Sequence, residues 1–153
     1  MESSLIDPKG KVIQQALMDL ARTAITLKRA GHRVVVAVGE PPNARGDYPG
    51  DQVYRAGYAS MVVSQTKLMS EWKNCFDSCS ELAAQVLVDA VIFHNKHRAQ
   101  QLADVLTELT DMGVIPIVGL SAAGRGVGSS LLDTFLLGLL DKPPVTARAK
   151  AAV

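Results

Sequence analysis

The sequence predicts an α/β fold, a three-layer sandwich built on a mainly parallel sheet. Three observations lead there. Short apolar runs rich in β-branched residues occur without polar alternation, as in strands covered on both faces. Amphipathic helical stretches lie between them, and strands alternating with helices give a layered sheet with helices on both sides. Glycines stand where those helices should stop. The 153 residues are 48% apolar and 20% charged, and Lys plus Arg exceed Asp plus Glu by 16 − 15 = +1. This suits one domain, expected over residues 1–140, with an aliphatic core because only 5% of residues are aromatic.

The elements follow in chain order. Gln14 to Ala30 reads as a helix, with Leu17, Leu20, Ala24 and Leu27 on one face and Ala21 and Ile25 beside them. Lys28 and Arg29 suit the negative end of its dipole, and Gly31 takes the position after it. Val34–Val38 is the first buried strand. Residues 39–51 hold three Pro, three Gly, Asn43 and Asp47, and form a loop. A long helix follows, striped by Tyr58, Met61, Val62, Gln65, Met69, Trp72, Phe76 and Cys79. Ala84–Val88 is the second buried strand, running on towards Phe93. Asn95 is placed to cap a helix whose core face is Leu102, Val105, Leu106 and Leu109, and which Gly113 ends. Val114–Val118 is the third strand. Its Pro116 lacks an amide donor and belongs where one ladder bond can be lost. Gly119–Gly128 is a glycine-rich loop, after which Ser129 and Ser130 open an apolar helix to about Leu140. Residues 141–153 read as a disordered tail.

Several functional classes drop out. Near-neutral charge gives no reason to expect a nucleic acid or an anionic membrane as partner. No apolar stretch reaches the ~20 residues of a membrane span, and the first residues lack the pattern of a secretory signal. Cys75 and Cys79 make no disulfide framework, so a cytoplasmic setting is expected. They lie four apart on one helix while His94 and His97 lie elsewhere, which matches no zinc template. Both read as structural, no metal site is expected, and His32 reads as surface.

The best chemical signal is the strand, loop and helix from Val114 to Leu140. Free backbone amides and the dipole at a helix start favour anions, and glycines let the backbone come close to a phosphate. Gly119, Ser121, Gly124, Arg125, Gly126, Gly128, Ser129 and Ser130 are the candidate binding residues there, with Arg125 supplying charge. The lysine and hydroxyl of a P-loop are missing after Gly124, and the dinucleotide glycine pattern fails at Ser129. A plain glycine-rich surface loop fits the same residues. There is no nucleophile elbow and no paired carboxylates, so no catalytic residue is assigned.

Several segments, in order, resemble the amino-acid kinase family. Lys67–Phe76 resembles its helix reading Arg-Leu-Met and then Leu-Phe, and Ala84–Val88 its Ala-Gln-Val-Leu-Leu strand. Leu109–Ile117 resembles Leu-Leu-x-x-Gly-Val-Val-Pro-Ile, and Arg29–Val36 the Ala-Gly-His-x-Val-Val approach to the second strand. Ser3–Ile6 resembles the end of the family's Lys-x-Gly-Ser-Ser-Leu-Leu phosphate loop. Within the family the likeness is greatest to the members that phosphorylate glutamate.

The resemblance implies the amino-terminal lobe of such a kinase, ATP and Mg²⁺ as cofactors, and phosphoryl transfer to the glutamate side-chain carboxylate, a step of proline biosynthesis. It also implies substrate or phosphate contacts at Ser3, Ser4 and Gly39, beside the loop residues above. The charged positions depart from the pattern. Glu2 stands for the loop glycine, Val38-Gly39-Glu40-Pro41 for Ser-Ser-Gly-Ala, Gly119–Ala122 for Asn-Glu-Asn-Asp, and Gly126–Ser129 for Gly-Asp-Asn-Asp. The strand with the catalytic lysine and the nucleotide-binding half find no counterpart. The expectation is therefore a truncated, catalytically impaired kinase-like protein. The alternative is a non-catalytic α/β module that oligomerises or binds a small anion. In either case a second copy, or another chain, is expected to cover an exposed sheet edge.

Overall fold

A computed structural model describes residues 3–4, 14–38, 51–120, 129–139 and 145–150. Its elements are β1 (Ser3–Ser4), α1 (Gln14–Arg29), β2 (Val34–Val38), α2 (Asp51–Ser78), β3 (Leu82–Val88), a 3-10 helix (Ala90–His94), α3 (Lys96–Asp111), β4 (Val114–Leu120), α4 (Ser129–Leu139) and β5 (Val145–Lys150). The strands form one five-stranded sheet in the order β1-β5-β2-β4-β3, and every pairing is parallel.

The period-2 pleat divides the apolar side chains between two faces. Val34 and Val36 of β2 and Ile115 and Ile117 of β4 pack with Leu17, Leu20, Ala24 and Ile25 of α1 and Leu68, Trp72 and Phe76 of α2. Val35, Ala37, Val118 and Leu120 pack on the other face with Ile92, with Leu102 and Leu106 of α3, and with Leu132 and Leu136 of α4. The result is the three-layer α/β sandwich with a parallel sheet that the sequence predicts. Trp72 stacks on Phe76 at 5.6 Å between ring centroids, and Phe93 meets Phe135 edge-on at 5.1 Å.

The helix stops follow from local chemistry. Gly31, with φ +92°, lets α1 close in a Schellman motif: its amide donates to Lys28 O and that of His32 to Leu27 O. α2 closes the same way through Ser80 and Glu81, with Ser80 held at φ 58°. Asn95 caps α3 by accepting from the Arg98 amide at 3.1 Å, as expected.

Four readings of the sequence need correction. The second strand runs from Leu82 to Val88 and is an edge strand, with Leu82 64% and Leu87 50% exposed, because only β4 pairs with it. The chain does not stay extended towards Phe93. Asp89 accepts from the Val91 amide at 3.0 Å and turns it into the 3-10 helix. Val105 is exposed rather than part of the α3 core face, where Ala103 is buried instead. Finally, Val145–Lys150 of the supposed disordered tail forms β5, hydrogen-bonded between β1 and β2. Two partner strands satisfy its backbone, which outweighs its weak local propensity.

Pro116 sits in β4 opposite Ala84 of β3, and pairing with β2 begins one residue later at Ile117. The missing donor therefore falls at the start of a ladder. Of the long-helix stripe, Trp72 and Phe76 are buried while Met69 and Cys79 are packed against the core; the side chains of Tyr58, Met61, Val62 and Gln65 lie outside the described residues.

Candidate functional site

Because all strands run the same way, their carboxyl ends share one rim. β2 leads into α2 on the first face, while its neighbour β4 leads into α4 on the second. Adjacent strands whose continuations leave on opposite faces open a crevice beyond their carboxyl ends, where ligands of open α/β sheets bind. β2 ends at Val38 and β4 at Leu120, so the described strands stop at this switch point just before the two glycine-bearing stretches of the sequence.

The register fixes who stands beside whom. Ser3 pairs with Ala149, Ala149 with Val38, Val38 with Gly119 and Gly119 with Leu87, one row across the whole sheet. Three strand spacings of about 4.8 Å separate Ser3 from Gly119, roughly 14 Å in all. One phosphate cannot touch both, whereas a ligand with two polar ends can. Gly119 is not the first loop residue that the sequence suggested. It belongs to β4, which runs on through Leu120, and a Cβ there would make only ordinary contacts, 3.8 Å from Leu87 and 4.0 Å from Val38.

The structure thus brings Ser3, Ser4 and Gly119 to one rim, with Ser129 and Ser130 in the first turn of α4. Gly39, Ser121, Gly124, Arg125, Gly126 and Gly128 lie outside the described residues. Sequence reading missed β5, whose Ala149 and Lys150 pair with Ser3 and Ser4 at this rim. The signal was present in the alternation of Val145, Ala147 and Ala149 with Thr146, Arg148 and Lys150. His94, Lys96 and His97 are exposed beside the 3-10 helix and the start of α3, as a solvated turn. Among the described residues no group of three His, Cys, Asp or Glu side chains is placed to hold a metal ion.

The opposite rim carries structural charge. Lys28 donates to Glu81 Oε2 and to Gly113 O, and Arg29 to Glu81 Oε1 at 3.2 Å and to Cys79 O at 3.1 Å. This ties the end of α1 to the starts of β3 and β4. The hydrogen bond from Lys28, with that from Arg29 and both positive charges, holds the Glu81 carboxyl below its ordinary value despite its burial. Cys75 is buried and Cys79 half-buried, both unpaired thiols. Burial first, then the charges of Glu71 and Cys79, pushes the Cys75 thiol up, so it stays protonated and inert. Both cysteines fit the structural role the sequence assigns them.

Over 123 residues, 76% of its length, the chain is 32% identical to the glutamate 5-kinase of Geobacillus kaustophilus. The chain is similar to glutamate 5-kinase. It is 31% identical over 121 residues to glutamate 5-kinase 1 of Bacillus subtilis, and 28% identical over 120 residues to the glutamate 5-kinase of Thermotoga maritima, again across 76% of this chain. The resemblance to the amino-acid kinase family is thus shared along most of the sequence. The chain spans about a third of the length of these curated relatives, 32%, 33% and 34% respectively. No family model matches it. No helix among the described residues is long and apolar enough to cross a membrane.

Proposed function

We propose that the chain is a glutamate 5-kinase-like protein that holds an oxyanion ligand at the carboxyl rim between β2 and β4. One observation carries this: in a chain similar to glutamate 5-kinase, the adjacent strands β2 and β4 end side by side at a switch point, immediately before the two glycine-bearing stretches of the sequence. Ser3, Ser4, Gly39, Gly119, Ser121, Gly124, Arg125, Gly126, Gly128, Ser129 and Ser130 are its binding residues. The oxyanion belongs to ATP, taken up with Mg²⁺, or to glutamate. Turnover is impaired in this reading. Glu40 and Pro41 replace the small polar residues of the second loop, and Ser121 and Ala122 replace acidic and amide ones. Few groups remain to offset the charge that develops in phosphoryl transfer. Two unpaired thiols support a cytoplasmic setting.

A coupled assay for ATP- and glutamate-dependent phosphoryl transfer is the test. The expected outcome is ligand binding without appreciable turnover. Turnover that disappears on changing Arg125→Ala or Ser129→Ala contradicts the impairment.

A second reading, an oligomerising module, is favoured by β3. This edge strand has no Lys, no Pro and no bulge to deter pairing, and exposes Leu82 and Leu87. Sedimentation of the purified chain should then show a dimer or larger. A monomer at all concentrations contradicts it.

A further inference from the structure

The charges of α3 run the wrong way for its own dipole. Its first turn holds Lys96, His97 and Arg98 and its last turns Glu108 and Asp111, with no acid at the start and no base at the end. Cations at a helix start and anions at its end are both unfavourable. Asp111 is drawn to Arg33 at 2.7 Å and Arg98 meets Asp89 at 3.5 Å, whereas Glu108 enters no ion pair among the described residues. Arg98, Gln101, Val105, Glu108 and Met112 recur at i, i+3, i+7, i+10 and i+14, so they share one flank of the helix, and all five are exposed. The opposite flank, with Ala99, Ala103, Thr107 and Thr110, is buried or half-buried. The right-handed crossover from β3 to β4 turns that covered flank towards α4 and leaves the exposed one overhanging β3.

Among the described strands β3 pairs only with β4, so its outward N–H and C=O groups call for another strand. Its sequence, LAAQVLV, has small residues just before Gln85 and large ones just after. Paired antiparallel with a copy of itself about Gln85, it sets Ala83 opposite Leu87 and Ala84 opposite Val86, small against large, with Leu82 opposite Val88. Parallel pairing in register would set alanine on alanine and leucine on leucine, and would put the two α3 helices on opposite faces of the joined sheet. The antiparallel two-fold keeps both on one face and antiparallel, the Arg98 end of each beside the Glu108 end of the other. The charges that oppose each helix's own dipole are then met by its partner's. Leu82, Val105 and Met112, exposed in the single chain, lie along the same seam. We infer that β3 and α3 form a two-fold seam for a second copy of this chain, with β3 pairing antiparallel to β3 about Gln85. The inference rests on the oligomerising reading of β3. It adds the partner, the direction and the register.

Sedimentation equilibrium over a concentration series tests it, with thermal melting as the folding control. The wild-type chain should dimerise. Arg98→Glu and Glu108→Arg should each weaken the dimer about tenfold or more, because the two-fold makes each like-charge contact twice. The double variant Arg98→Glu/Glu108→Arg should recover most of the affinity. Both side chains are exposed, so the fold should tolerate the changes. Gln85→Cys, at the two-fold, should give a disulfide-linked dimer on air oxidation, since directly opposed residues bring their Cβ atoms within about 4.5–5.5 Å. Asp104→Cys, on the exposed outer side of α3, should give none and controls for the native thiols. A dimer in which Gln85→Cys does not cross-link, or which neither charge reversal weakens, overturns the seam while leaving self-association standing. A monomer at all concentrations overturns both the seam and the reading on which it rests.

Discussion

Glu81 joins three elements through one carboxylate, and its partners set how acid weakens the fold. Its side chain is only 10% exposed and takes hydrogen bonds from Lys28 and Arg29. A carboxyl whose folded pKa is depressed stabilises the fold above its unfolded pKa and loses that contribution as pH falls through the folded one. Stability should therefore start to fall below about pH 4.5, the ordinary value of this group, and Glu81→Gln should remove that pH dependence. At neutral pH, Glu81→Gln should cost about 1.5–3 kcal/mol in chemical denaturation. Ser80 offers the opposite sign. It holds φ 58° without being glycine, and Ser80→Gly should raise stability by up to about 1 kcal/mol. Neither residue stood out in the sequence. Lys28 and Glu81 are 53 positions apart, and a Schellman turn without glycine leaves no mark of its own.

Among the elements, those with a strong local pattern were legible. The apolar face of α1, the cap of α3 and the runs of β2 and β4 all hold because local periodicity and tertiary burial agree in them. β3 read as buried because an apolar run looks the same at the centre of a sheet and at its edge. What separates the two is the neighbour, which the run does not contain. β5 failed for the converse reason, since its alanines and basic residues have little strand propensity and only β1 and β2 hold it. On α2, Trp72 is fully buried and its indole Nε1–H has no acceptor. Trp72→Ala should cost about 3–5 kcal/mol by emptying the core between α1 and the sheet. Trp72→Phe should cost under about 1.5 kcal/mol, because the smaller ring keeps the packing and removes the orphaned donor. Urea unfolding curves for the pair separate the two effects. At the exposed edge, Leu82→Lys should abolish any self-association seen in sedimentation while leaving the monomer folded.

For the molecule as a whole, the two rims divide the labour. The amino-terminal rim is closed by the ion pairs around Glu81 and belongs to stability. The carboxyl rim collects Ser3, Ser4, Gly119 and the start of α4, and belongs to the ligand in the reading proposed here. The glycine-rich part of the proposed site is a reading of the sequence, where a strand, a glycine-rich stretch and a helix start are contiguous. The chain is similar to glutamate 5-kinase over 76% of its length. The most direct test of the rim site is amide chemical-shift mapping during titration with Mg²⁺-ATP and then glutamate. The account predicts shifts clustered at residues 3–4, 38–40, 119–130 and 148–150, with the Glu81 rim silent. Shifts confined to the Glu81 rim or to the His94–Arg98 turn, or no shifts at all, would contradict it.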